Sequence, residues 1–202
     1  ILDDLKNNKL MKNLSVLVFL ICLAFACKPS KSEEKTQTSP ETKKPVINED
    51  ELVMRLSAEL VADPQTQWQK ERNDIINYAI DHMLDLHSTQ SGLYYQIIEP
   101  GTGDSIRWSD QVRVHYRGYF LNGQEFDSSY KRDKPIDFYV GNMIDGWNEG
   151  LKMLKPGAQA LFIVPSHLGY GEKGLSDGKG GMLIPPNTVL VFEMKVLEKL
   201  ES

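Results

Sequence analysis

The residues that could do chemistry are few, and most of the constellations they suggest fail on spacing. Gly174, Gly178 and Gly180 surround Lys179, but only three residues separate the first two glycines and no Ser or Thr follows the lysine. A phosphate-cradling loop needs both features. Gly101 and Gly103 lack a third glycine at position 106, which is Ile106. His82, His87, His115 and His167 have no partner cysteines and no metal-ligand spacing, so no metal is expected. His115 falls on the polar side of an alternating segment and is expected to be solvated. Ser128, His167 and Asp127 can be drawn as a nucleophilic triad, yet no Gly-x-Ser-x-Gly elbow surrounds any serine. What is left is aromatic: Tyr116, Phe126, Trp147, Tyr170 and Phe192, with Asp127 beside Phe126. Each of these rings, taken alone, reads as core packing.

Composition narrows the classes further. The chain has 202 residues, with 23 basic and 28 acidic side chains and a net charge of −5. Its pI near 5.4 argues against nucleic acid as a partner, because that role leaves a basic patch or stripe. Apolar residues at 41% and charged ones at 25% describe a globular chain with a real core. The length allows one domain with an appendage, or two small ones. Both cysteines lie within the first 27 residues, so the core folds without disulfides.

The N-terminal segment reads as an address. Met11 opens a signal-like stretch, which makes residues 1–10 an upstream extension of the reading frame. The apolar run 14–26 is thirteen residues long, short of the ~20 needed to cross a bilayer. A charged start, a short apolar run and small residues at its end describe a secretory signal. Leu23, Ala24, Phe25, Ala26 and Cys27 resemble a bacterial lipobox, in which the Cys27 thiol takes the diacylglycerol. A plain signal peptide cut nearby would leave Cys27 unmodified, and Cys22 is filler within the run. The expected localisation is export, with a lipid anchor in a bacterial cell-envelope membrane (periplasm or cell surface). Residues 28–48 are rich in Lys, Ser, Glu, Thr and Pro and cannot bury enough surface to offset chain entropy, which predicts a disordered tether. Ser32, Glu33 and Glu34 faintly resemble an acidic surface-export signal.

Two helices are expected next, over 49–62 and 65–86, separated by Asp63 and Pro64. The second carries Trp68, Ile75, Ile76, Ala79, Ile80, Met83 and Leu84 on one side. That face is expected to pack on the following domain or on a second subunit, with a homodimer through these helices among the expected partners. A client-gripping surface is the sharper alternative. From Leu93 onward the pattern becomes short alternating strands: 93–98, 111–119, a return strand at 125–127 after the Asn122–Gly123 turn, 136–140, 158–164 and 188–197. Val112, Val114 and Tyr116 alternate with Arg113, His115 and Arg117. One short helix, 145–154, carries Trp147, Leu151 and Leu154 on one stripe and stops at Pro156 and Gly157. The fold class is therefore α+β: an antiparallel sheet on one short helix, with an N-terminal helical appendage. The organisation reads as 1–27 extension and signal, 28–48 tether, 49–88 helical appendage and 89–202 sheet domain.

Residues 92–199 resemble the FKBP family of peptidyl-prolyl isomerases, with its motifs in unbroken order. The strings are Val114-His115-Tyr116-Arg117-Gly118, Phe126-Asp127-Ser128-Ser129, Lys134-Pro135, Gly141, Ile144-Asp145-Gly146-Trp147, Glu149-Gly150, Gly169-Tyr170-Gly171, Ile184-Pro185-Pro186-Asn187 and Leu190-Val191-Phe192-Glu193. The resemblance implies a strongly curved sheet wrapped on the short helix, with an apolar pocket between them. It implies an isomerase without a cofactor, acting on proline-containing unfolded or newly exported polypeptides. Trp147 would floor the pocket, and Tyr116, Phe126, Phe192 and Ile184 would form its walls. Tyr170 would add a ring face and a hydroxyl donor, and the backbone N–H of Ile144 would bind a peptide carbonyl. Asp127 would sit at the rim, oriented by Arg132 and the Tyr116 hydroxyl, while Ile136, Phe138, Met143 and Leu183 would complete the substrate contacts. Three departures bear on substrate preference: Ile136 in place of an aromatic, a shortened 141–144 stretch with Met143, and a longer glycine-rich loop 172–182 expected to be mobile. A non-catalytic FKBP-fold chaperone or partner-binding module is the alternative; such modules usually lose the tryptophan, tyrosine or aspartate retained here.

Overall fold

Alternation along the longest central strand sets the two faces of the sheet. The computed structural model describes residues 48–200. Strand β3 (Gln111–Phe120) buries Val112, Val114, Tyr116 and Gly118 on one face and turns Arg113 and Arg117 to the other. It pairs antiparallel with β9 (Leu190–Leu200) on one edge. On its other edge β5 (Ile136–Tyr139) and β4 (Glu125–Ser128) follow one another. The sheet continues from β9 through β6 (Gln159–Val164) and β2 (Tyr94–Glu99) to the short β1 (His87–Ser88), all antiparallel.

Both faces of this sheet are covered, which is why β6 is apolar without a break from Ala160 to Val164. Ala160, Phe162 and Val164 join the core beneath helix α3 (Asp145–Leu151), with Leu151, Leu154, Phe192 and Met194. Leu161 and Ile163 join a second core on the opposite face, formed with helices α1 (Glu49–Ser57) and α2 (Gln67–Asp81). Leu52, Leu56, Ile75, Ile76 and Ala79 are the helical contribution there. Residues 49–88 thus share a core with the sheet and do not stand apart from it. Glu71 reinforces the join: it is 2% exposed, and its carboxylate accepts hydrogen bonds from the Ser166 N–H and the Gln67 side-chain amide, both at 2.8 Å.

The helices are shorter than their apolar periodicity suggests. Helix α1 stops at Ser57 before the Asp63–Pro64 break, and α2 begins behind a capping box between Thr66 and Gln69. Met83 lies beyond α2 at φ +52° and is exposed. Trp68 is 47% exposed, its ring covered by the Arg72 guanidinium rather than by the core. The loop read as a mobile lip contains a hairpin, β7 (Leu175–Ser176) with β8 (Met182–Ile184). The Asp177 carboxylate fills its glycine turn, accepting from the N–H groups of Lys179 and Gly181 at 2.7 and 2.8 Å. His115, expected to be solvated, is half-buried: its Nδ1 lies 2.9 Å from the buried Ser129 hydroxyl, and its ring stacks on Tyr130. The signal run, Cys22, Cys27 and the tether to residue 47 lie outside the described residues.

Helix α3 approaches β6 unusually closely. A Cβ at Gly146 would meet Val164 at 2.6 Å, and one at Gly150 would meet the Phe162 ring at 2.7 Å. Helix propensity alone favours Ala over Gly by ~1 kcal/mol. Here the rigid Phe162 ring has no room to yield, and overpacking of this kind costs ~1–3 kcal/mol. Gly150→Ala should therefore lower the urea midpoint of unfolding; an unchanged or higher midpoint would contradict the close packing.

Candidate functional site

A cavity of about 300 Å³ opens between α3 and the concave face of the sheet. Three strands, one helix and two connecting segments deliver its lining. Tyr116 comes from β3, Phe126 and Asp127 from β4, and Phe192 from β9. Asn142, Met143 and Ile144 come from the turn between β5 and α3, Trp147 from the first turn of α3, and Tyr170 from the loop after β6.

The apolar part of the site is an edge-to-face aromatic array. Trp147 is 2% exposed, with ring centroids 4.9 Å from Tyr116 at 78° and 5.1 Å from Phe192 at 84°. Phe126 stands at 90° to Phe192, 5.7 Å away. Such geometry sets the positive ring edge against the negative face of its neighbour and adds to area burial. Gly118 makes room for it, because a Cβ there would lie 2.7 Å from Phe126 and 2.9 Å from Phe192. The Trp147 Nε1 is buried without a hydrogen-bond partner.

The polar part is a closed network at the rim. The Tyr116 hydroxyl donates to Asp127 Oδ2, Arg132 Nη1 pairs with Asp127 Oδ1, and the Ser128 N–H donates to Oδ1 at 2.8 Å. Arg132 Nη2 donates to the Tyr116 oxygen at 3.0 Å. Burial acts to raise the Asp127 pKa, but the hydrogen bonds from Tyr116 and Arg132 outweigh it and hold the carboxyl below its ordinary value. Burial, then the bond to Asp127, pushes the Tyr116 phenol up to about 12. Both groups therefore keep one charge state across the neutral range. The lone pairs of Asp127 are committed to its neighbours, so it is poorly placed to act as a free base.

Two donors remain uncommitted besides the buried Trp147 Nε1. Among the described residues no hydrogen bond is made by the Ile144 N–H or by the Tyr170 hydroxyl. Burial, then the nearby Asp127 charge, raises the Tyr170 pKa, so its proton stays on oxygen. No group of His, Cys, Asp or Glu among the described residues could hold a metal ion. The arrangement can take an apolar ring against Trp147 and offer two hydrogen bonds to carbonyl oxygens.

Other residues expected at the site lie behind it or beside it. Phe138 packs on Trp147 from the core side, at 5.7 Å, and Ile136 packs against the same core. Ile184, expected as a wall, is buried in the core at the foot of β8, so its side chain is not part of the cavity lining. Leu183 is 40% exposed on the β7–β8 hairpin, and Arg132 contacts the site only through Asp127 and Tyr116. Sequence reasoning missed Asn142, which lines the cavity, and Asn148, which is buried beneath it. Asn148 lies four residues after Ile144 and three before Leu151, a polar residue on an apolar helical stripe, and that was the available signal.

Residues 103–197 match the family model described as FKBP-type peptidyl-prolyl cis-trans isomerase. A probable FKBP-type peptidyl-prolyl cis-trans isomerase of Haemophilus influenzae is 37% identical over 162 residues, covering 75% of this chain and 65% of that protein. The crystal structure of FkpA from Escherichia coli superposes with a TM-score of 0.56 at 33% identity, over 72% of this chain and 63% of that one. The crystal structure of AtFKBP13 gives a TM-score of 0.53 at 33% identity, over 57% of this chain and 99% of that one. The chain thus spans just under two thirds of the first two relatives.

Proposed function

The chain belongs to the FKBP-type peptidyl-prolyl cis-trans isomerase family, and on that premise we propose that it isomerises X-Pro bonds in unfolded or newly exported polypeptides. The observation that carries this reading is the aromatic cavity over Trp147, with uncommitted donors at Ile144 and Tyr170. Rotation about an amide bond meets a barrier of about 18–20 kcal/mol, because resonance is lost at the twist. A catalyst need only bind the twisted amide better than either planar isomer. The twisted carbonyl is less polar than the planar one, so an apolar wall of Tyr116, Phe126 and Phe192 favours it. The prolyl ring would rest on Trp147, while the Ile144 N–H and the Tyr170 hydroxyl would hold carbonyl oxygens. Asp127, tied to Tyr116 and Arg132, would help place the twisted amide at the rim without exchanging a proton.

The same proposal extends to location. The short apolar run and the lipobox-like Cys27 support export and a lipid anchor, with residues 28–48 as the spacer. A homodimer through α1 and α2 would have to use outward residues such as Met54 and Trp68, because Leu52, Leu56, Ile75 and Ile76 are spent on the chain's own sheet.

Trp147→Leu tests the pocket. In a protease-coupled cis–trans assay on the purified protein, kcat/KM should fall at least about tenfold, equivalent to ~1.4 kcal/mol of lost transition-state binding. Circular dichroism should show the fold retained, and unchanged kcat/KM would count against the pocket. Cys27→Ser tests the anchor. The variant should move from the membrane fraction to the soluble one with its activity intact; continued sedimentation with membranes would reject lipidation at Cys27.

A further inference from the structure

We infer that Asn148 is a positioning residue for the isomerase site, acting through the turn that presents the Ile144 N–H. The inference rests on the isomerase reading only for its kinetic consequence. Asn148 sits in the first turn of α3, next to Trp147, and is 5% exposed. Its amide oxygen accepts from the N–H groups of Gly141 at 2.8 Å and Met143 at 3.3 Å. Its amide nitrogen donates to the Met143 carbonyl at 2.6 Å. The two backbone donors fix which end of the amide faces the turn. The Asn142 N–H is satisfied separately by the Tyr139 carbonyl at 3.0 Å. Three successive N–H groups, 141 to 143, are therefore consumed inside the turn, and Ile144 carries the first one left over.

The residue type follows from this task. A buried side chain here must accept twice and donate once, and a neutral carboxamide does both at once. Aspartate can accept but not donate, and would face the Met143 carbonyl with a like partial charge. An aliphatic side chain would strand two N–H groups and a carbonyl away from water. The turn so held lines the cavity with Asn142, Met143 and Ile144, all of which depend on the same clamp. Helix α3 has no side-chain cap at Ile144; the Ile144 carbonyl accepts from the Trp147 and Asn148 N–H groups at 3.0 and 3.1 Å, and the side-chain hydrogen bonds to residues 141 and 143 come from Asn148.

The test titrates the ¹⁵N-labelled full chain with a proline-containing tetrapeptide and measures isomerisation of the same peptide. In the wild type the Ile144 amide proton should move downfield as it takes the peptide carbonyl. In Asn148→Ala that movement should disappear and kcat/KM should fall about tenfold, the scale of one to two lost hydrogen bonds. Asn148→Asp keeps both acceptor bonds and should lie between the two, and it carries the same comparison if the alanine variant does not fold. A retained Ile144 shift with kcat/KM within about twofold of wild type would overturn the inference, whatever happened to the melting temperature. So would a wild-type titration in which Ile144 does not move. A wild-type Ile144 shift without isomerisation would instead reject the isomerase reading and leave the role of Asn148 standing.

Discussion

Helix α3 can lie almost on the surface of β6 because it lacks side chains at the two positions that face it, Gly146 and Gly150. That approach sets the depth of Trp147, and the depth of Trp147 sets the rest of the site. At this depth the indole meets Tyr116 and Phe192 edge to face, and a shallow cavity is left above it instead of a filled core. The same placement brings the helix start, with Ile144 and the turn before it, to the cavity's border. A one-atom addition on the buried side of the helix would therefore be felt at the site as well as in the core.

Polar groups around the cavity divide into those already satisfied and those not. Asp127, Tyr116 and Arg132 satisfy one another at the rim, and Asn148 satisfies the turn. The Ile144 N–H and the Tyr170 hydroxyl are left to bind something. A site organised in this way is suited to carbonyl groups around an apolar ring, as the proposed function requires. It holds no nucleophile in reach of a base, because its carboxylate is already hydrogen-bonded on both oxygens.

Much of this was legible in the sequence, for identifiable reasons. Period-two alternation located β3 to within one residue, since one face of that strand is buried and the other carries charge. The unbroken apolar run of β6 was readable as a strand, but only the structure shows that its second face is covered by α1 and α2. Trp68 was misplaced because an aromatic ring can be covered by a neighbouring guanidinium as well as by a core. The pocket rings arrived through motif order rather than periodicity, which cannot separate a pocket ring from a core ring. Ile184 shows that limit from the other side: it belongs to a matching string, yet its side chain is turned into the core. Asn148 shows in the sequence only as a polar residue on an apolar helical stripe; its partners are backbone groups, which carry no sequence signal of their own.

In the proposed isomerase, catalysis is conformational, with binding of a twisted amide and no proton in flight. Activity across pH cannot decide this alone, because Asp127 and Tyr116 keep their charge states over the whole neutral range. The solvent deuterium isotope effect on kcat/KM can. Proton transfer by a positioned side chain in the transition state would make the reaction slower in heavy water. Conformational catalysis gives equal kcat/KM in light and heavy water for an unstructured proline peptide at neutral pH. A clear slowing in heavy water would contradict it.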